Sequence, residues 1–212
     1  AVAEALRGID IVLHAAALKQ VPTCEYEPWE AALTNIVGAH SIVRAIRMHA
    51  LPVETVIGIS TDKACQPVNV MGMTKAVQER IFTAANLHCG KTRLLCVRYG
   101  DVLGSRGSVV PLFLRQIAAG GPVTLTSPEM TRFMLTLDRA VDTVWRACAE
   151  GDHGEVWVPI VPSSRILDLA KALIGERAID LRVGGIRPGE KIHETLVAED
   201  EARRAVQRGD HY

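Results

Sequence analysis

Apolar residues in the first hundred positions gather into three short, β-branched and nearly continuous runs: Ile9–Ala16 (IDIVLHAA), Val53–Ser60 (VETVIGIS) and Thr92–Tyr99 (TRLLCVRY). Such runs suit strands covered on both faces, as in parallel sheets. Between them the period lengthens. Ile36, Ala39, Val43 and Ile46 form one helical stripe, and Val77, Ile81 and Ala84 form the next. Strand–helix alternation with connections of this length predicts βαβ units, hence an α/β fold: a doubly wound parallel sheet of Rossmann-like type.

After Gly100 the rhythm changes. Helical patterns cover 109–119, 137–150 and 165–174, with short strand patterns at 122–126 and 155–159. Residues 1–108 therefore read as a partial dinucleotide-binding domain and 109–212 as a small C-terminal substrate lobe, interleaved with the first and not independently folded. The tail from Ala198 to Tyr212 reads as a charged helix or a frayed end. A dinucleotide-binding sheet ordinarily opens with a strand and a G-x-G-x-x-G turn that holds the pyrophosphate. The chain has no such turn, and G-S-R-G-S at 104–108 is too short and too late to replace it. The expectation is that the first strands lie outside this sequence.

Charge narrows the partners. Among 212 residues, Lys plus Arg and Asp plus Glu both number 24, so no net field attracts nucleic acid or an anionic membrane, and any anion must be met by local groups. The five cysteines (24, 65, 89, 96, 148) lack C-x-x-C spacing and sit in apolar surroundings, as reduced thiols in cytosol do. No apolar run approaches the ~20 residues of a membrane helix. A cytoplasmic protein with a small-molecule ligand is expected. None of the seven histidines joins a Cys, Asp or Glu cluster at ligand spacing, so no metal site is predicted.

Candidate chemistry lies in I-S-T-D-K-A-C-Q-P-V-N-V-M-G-M-T-K, Ile59–Lys75. Asp62 and Lys63 directly follow a strand, where open parallel sheets bind their ligands, although such a pair is more often a surface ion pair. On the next helix Met71 and Lys75 stand at i and i+4, on the face nearest the strand ends. His14 and His193 read as structural.

S-T-D-K-A (60–64), M-G-M-T-K (71–75), R-Y-G-D-V-L-G-S-R-G-S-V-V-P (98–111), M-T-R-F (130–133) and I-R-P-G-E-K-I-H-E (186–194), in this order, resemble the UDP-N-acetylglucosamine 4,6-dehydratases. These are extended short-chain dehydrogenase/reductases of bacterial polysaccharide and glycan biosynthesis. H-A-A-A-L-K (14–19) and T-N-I-V-G (34–38) also fit that family. The resemblance implies an NADP-dependent lyase, with NAD as the alternative, and a homo-oligomer. NADP takes hydride from C4 of the sugar, the C5 proton is removed, the C6 hydroxyl leaves, and hydride returns to C6.

By the same resemblance, Lys63 matches the C5 base, Asp62 the acid for the C6 hydroxyl and Thr61 a hydrogen-bonding partner of the sugar. A lysine base needs its pKa lowered by burial or nearby cations, and Lys75, which should also bind the nicotinamide ribose, is the candidate cation. Met71 stands where the family usually has the tyrosine that takes the C4 hydroxyl proton, and a thioether cannot do so. Either Thr61, Thr74 or water relays that proton, or this copy only binds, or Met71 simply fills space. Ala15, Ala16, Asn35, Val102, Leu103, Gly104, Ser105 and Arg106 fall on the implied cofactor side. Lys19, Asp101, Val109, Thr126, Arg187 and Glu190 fall on the UDP-sugar side, with Arg187 and Glu190 as a clamp on the uridine ribose and diphosphate. Asp101 replaces the family's usual Asn, and its charge must be neutralised or accept from sugar hydroxyls. Arg132 reads equally as an anion partner or a salt bridge. Dehydration with C5 inversion, UDP-sugar 4-epimerisation and a non-catalytic nucleotide-sugar-binding fragment remain as alternatives.

Overall fold

A computed structural model describes residues 1–212. The chain runs α1 (Val2–Ala5), β1 (Ile11–His14), α2 (Val21–Tyr26), α3 (Pro28–Ala32), a π-helical turn (Leu33–Val37), α4 (Gly38–His49), β2 (Thr55–Thr61), a 3₁₀ turn (Asp62–Ala64) and α5 (Val70–Ala85). It continues through β3 (Arg93–Tyr99), β4 (Asp101–Val102), α6 (Val109–Ala118), β5 (Val123–Leu125), β6 (Thr131–Leu135) and α7 (Leu137–Glu150). Last come β7 (Val156–Trp157), β8 (Ser163–Arg165), α8 (Ile166–Ile174), β9 (Leu181–Val183) and α9 (Glu199–Ala202). No helix is long and apolar enough to cross a membrane.

The three predicted strands pair in parallel, in the order β1-β2-β3-β7, but the first is only four residues long and is not covered on both faces: Ile11 and Leu13 are exposed. Ile57 lies beside Leu13 and Leu95, and Thr61 beside Tyr99, so β2 and β3 end level with each other. One core cluster, built on Ile42, Ile46, Val56, Phe82 and Leu94, fills the α4–α5 face. On the other face Ile57, Leu95 and Val97 meet Ala147 of α7 and Trp157 of β7. A second cluster, Phe113, Val123, Leu125, Met130, Met134 and Ile166, sits among α6, β5, β6 and α8. The lobe beyond 108 thus has its own core but sends α7 and β7 back to the main sheet.

Two further expectations change. Of the predicted Val77–Ile81–Ala84 stripe only Ile81 packs on the core: Val77 is 42 % exposed and Ala84 is exposed, while Thr74, Lys75, Gln78 and Glu79 of the same helix are buried. Hydrogen-bonded polar contacts with the sheet override the apolar periodicity here. The tail is neither a long helix nor frayed. Only Glu199–Ala202 is helical, and the Tyr212 and Val158 amides each donate to the other's carbonyl, both at 2.8 Å.

What fastens this tail is Arg98 near the end of β3. Its guanidinium donates to both carboxylate oxygens of Glu79 on α5 and both of Glu201 on α9, and to the Leu196 carbonyl at 2.8 Å. A buried pair of this kind gains little over apolar packing but is costly to halve. Arg98→Met should therefore destabilise the fold by about 3–5 kcal/mol. Hydrogen exchange should show amide protection falling first in residues 196–212; unchanged protection there would show that Arg98 does not anchor the segment.

Candidate functional site

The carboxyl ends of β1, β2 and β3 receive four connecting segments. Asn69 caps α5 by accepting from the Gly72 amide at 2.7 Å, and its side-chain amide donates to the Gly189 carbonyl at 2.7 Å. Glu25 of α2 accepts from the Val70 amide at the same helix end. Lys191 donates to the Cys65 carbonyl at 2.8 Å. The segment around 186–194 is thereby laid across the 3₁₀ turn and the start of α5. Gly72 allows the closest approach: a Cβ there would lie 2.2 Å from the Lys63 carbonyl oxygen. The 104–107 turn reaches the same rim, where a Cβ on Gly107 would stand 3.5 Å from the Gln20 side chain.

Two lysines are buried in opposite surroundings. Lys63 Nζ lies 3.0 Å from Asp62, 3.3 Å from Asp101 and 3.8 Å from Glu194. Burial opposes its charge, but the three carboxylates prevail and raise the ammonium's pKa above the ordinary lysine value. Cations that would ease proton loss from Lys63 do not face it, and Lys75 is not among its influences. The expected depression of Lys63 by Lys75 is thus corrected: three carboxylates stand where cations were expected. Lys75 donates to the Ile59 carbonyl and, at 2.8 Å, to Gln78. Desolvation lowers its pKa to about 8, because its hydrogen-bond partners are neutral and Glu79 compensates only partly.

The other expected residues are placed as follows. Thr61 donates to Asp62 at 2.9 Å and accepts from the Lys63 amide, so it shapes the turn. Asp62 is fully buried, with Oδ2 lacking any hydrogen-bond partner. Asp101 is neutralised by Lys63, which answers the question its charge raised. Asn35 is fully buried; it accepts from the Leu18 amide at 2.8 Å and donates to the Leu18 carbonyl and the Thr74 hydroxyl. It therefore pins the segment after β1 rather than capping a helix. Ala15 and Ala16 are exposed just past β1, as is Lys19. Val102 pairs with Leu135 in β4, and Leu103, Gly104 and Arg106 are exposed, with Ser105 half-buried.

Several residues are not brought into a ligand-ready geometry. Met71 packs with Cys24 and Ala31, against Leu18 and Val21, so it fills an apolar pocket beside the site and does not face the charged cluster. Arg187 is exposed and ion-paired to Glu190 at 2.9 Å. Arg132 makes no salt bridge: it donates to the Thr131, Ile192 and Lys191 carbonyls. Val109 packs on the lobe core, and Thr126 follows β5, half-buried. His14 stacks edge-on against Phe82, its pKa lowered to about 4 by burial and by Lys75. His193 shares a 2.8 Å hydrogen bond with Thr131. Sequence reasoning missed Glu194 as a neighbour of Lys63 and Lys191 as a neighbour of Glu194, although both lie inside the quoted I-R-P-G-E-K-I-H-E segment.

The parallel sheet with helices on both faces is a Rossmann-like α/β fold. DesIV, a dTDP-glucose 4,6-dehydratase from Streptomyces venezuelae solved with NAD, superposes over 95 % of this chain and 69 % of its own with a TM-score of 0.83, at 19 % identity. At that identity the likeness is one of fold. Residues 1–212 match the family described as Polysaccharide biosynthesis protein, and the chain belongs to that family. Pen from Bacillus thuringiensis is 38 % identical, with a TM-score of 0.94 over 99 % of this chain and 67 % of its own. An uncharacterized membrane protein of Methanocaldococcus jannaschii is 47 % identical over 93 % of this chain, and a protein named UDP-glucose 4-epimerase in Rickettsia akari is 46 % identical over 99 %. The chain spans 62 % of the length of each of these two relatives.

The Lys75 environment gives a signed pH prediction. Its native pKa near 8 lies below the ordinary value of 10.5, so the native state resists the proton that the unfolded chain accepts. Its burial penalty is complete below pH 8 and fades as pH rises toward 10.5. Lys75→Met should be more stable than the parent by about 1–3 kcal/mol at pH 7, with the gap narrowing above pH 8. Urea denaturation at pH 7, 8.5 and 10 measures it; a gap independent of pH would place the lysine's titration elsewhere.

Proposed function

We propose that this chain forms the sheet-rim site of a nicotinamide-dependent enzyme that modifies nucleotide sugars, and that its reaction is 4,6-dehydration of UDP-N-acetylglucosamine with NADP. The supporting observation is the direct contact of Lys63 with Asp62 at the carboxyl end of β2. Epimerisation at C4 needs no acid–base pair there. Dehydration needs both a base for C5 and an acid for the departing C6 hydroxyl.

The residues around Lys75 fit the nicotinamide half of a cofactor. Ala15 and Ala16 leave small exposed side chains past β1, and the Lys75 amine is held beside Gln78 with spare donor capacity. Bound there, a nicotinamide supplies reversible hydride exchange with the sugar. The remaining chemistry falls to the chain. Within the Lys63–Asp62 pair, one proton passing from Nζ to the carboxylate over 3.0 Å turns an inert ion pair into a neutral amine and a neutral acid. The amine then takes the C5 proton, and the Asp62 carboxyl gives its proton to the leaving C6 oxygen as water forms. The ammonium then returns this proton to C5 as C6 is reduced, and the proton released from the C4 hydroxyl recharges the amine, which restores the starting ion pair with Asp62. Thr61 fixes the Asp62 rotamer during both transfers. Met71 takes no proton, so the C4 hydroxyl proton passes through water, or through the Thr61 hydroxyl as a relay that hands its own proton on.

The relatives named UDP-glucose 4-epimerase favour a second reading, interconversion at C4. One assay separates the two. The full-length protein is incubated with NADP or NAD and either UDP-N-acetylglucosamine or UDP-glucose, and products are followed by mass. Loss of water from UDP-N-acetylglucosamine supports dehydration, and an isomer without mass loss supports epimerisation. Nucleotide-sugar binding without either leaves a non-catalytic binding role. Lys63→Ala should abolish exchange of the C5 hydrogen with solvent deuterium while UDP binding persists; continued exchange removes Lys63 from the base role.

A further inference from the structure

Three carboxyl groups within 3.8 Å of one amine hold the Lys63 proton in place and keep it from acting as a base. The cluster must lose negative charge before the amine can lose its proton. The structure points to the group that does this. Asp62 and Asp101 touch the amine at 3.0 and 3.3 Å, within hydrogen-bonding distance. Glu194 does not: its Oε1 stands 3.8 Å away, and its side chain is only 2 % exposed. Its Oε2 is buried with no hydrogen-bond partner, although Lys191 Nζ is 3.5 Å away. Lys191 spends a donor on the Cys65 carbonyl, and the Arg132 fork is given to backbone carbonyls. A buried carboxylate oxygen without a donor is costly as an anion and is relieved by a proton. The charged groups facing the pair are Asp62 on the 3₁₀ turn, Asp101 after β3, Arg132 on β6 and Lys191 on its own segment. Among these influences on Glu194, desolvation is largest and raises its pKa from the ordinary value, Asp62 adds to the rise, and Lys63, Arg132 and Lys191 oppose it.

We infer that Glu194 is a positioning residue whose protonation gates Lys63: as a carboxylate it holds the amine as ammonium, and as a neutral acid it releases the amine to pass its proton to Asp62. The inference deepens the reading of Lys63 as the base and rests on it for its catalytic meaning. No atom is consumed. The gating proton comes from solvent, stays on Glu194 through the turnover, and returns to solvent when the carboxyl ionises again.

The test does not depend on turnover. The full-length protein is labelled with a limiting pulse of acetic anhydride across pH 7–11, and modification of the Lys63 peptide is quantified by mass. An opposite charge within ~4–6 Å shifts a pKa by about 1–3 units, so Glu194→Gln should raise Lys63 labelling at least about tenfold at pH 9. Glu194→Asp, with the carboxylate withdrawn by one methylene, should fall between the two and serves if the amide variant does not fold. Glu199→Gln, on the exposed first turn of α9, should leave the Lys63 profile unchanged. An unshifted Lys63 profile in Glu194→Gln or Glu194→Asp overturns the inference, whatever the enzyme's reaction. A shifted profile in a protein that never dehydrates its substrate upholds the gate and rejects the base assignment instead.

Discussion

Burial of the polar face of α5 against β2 is the constraint on which the rest of this molecule depends. Helix α5 offers the sheet Thr74, Lys75, Gln78 and Glu79, which a helix in a hydrophobic core would turn outward. Each needs a partner inside, and each has one: Asn35 for Thr74, the Ile59 carbonyl for Lys75 and Gln78, Ser60 and Arg98 for Glu79. Unpaired, any of these groups would cost about 1–3 kcal/mol or more. The pairing therefore fixes the helix's rotation as firmly as apolar packing would, and it delivers a desolvated lysine to the strand ends.

The same economy explains the contrast between the two lysines. Both are removed from water, and solvent exposure alone would predict similar behaviour. What differs is the charge of the partners. Lys75 meets carbonyl and amide oxygens, so desolvation wins. Lys63 meets carboxylates from three separate parts of the chain, so attraction wins. The rim thus holds one eased and one restrained amine, twelve residues apart in sequence (75 − 63).

Much of the scaffold was legible in the residues. Strands β2 and β3 were readable because burial on both faces leaves a run of β-branched side chains, and the 137–150 helix because its amphipathic period is clean; the apolar run at 9–16 yielded only the short β1, with Ile11 and Leu13 exposed. The α5 stripe misled because Val77, at the right spacing, faces outward while polar neighbours are buried, and periodicity cannot see partners distant in sequence. The contact of Lys63 with Asp62 was readable from adjacency. Its contacts with Asp101 and Glu194 were not, since they join residues 38 and 131 positions away (101 − 63 and 194 − 63). The missing signal was the tail's return to the sheet, which depends on Arg98 recruiting Glu201, and nothing in the charged composition of 198–212 distinguishes that from a solvated end.

Gly72 ties these threads together. With only a hydrogen where a methyl group would collide with the Lys63 carbonyl oxygen, the helix bearing one amine rests directly on the turn bearing the other. The spacing of the two lysines is thus set by a bare backbone contact. Any side chain at this position would act as a shim, prising the two amines apart while leaving every charged residue in the chain intact.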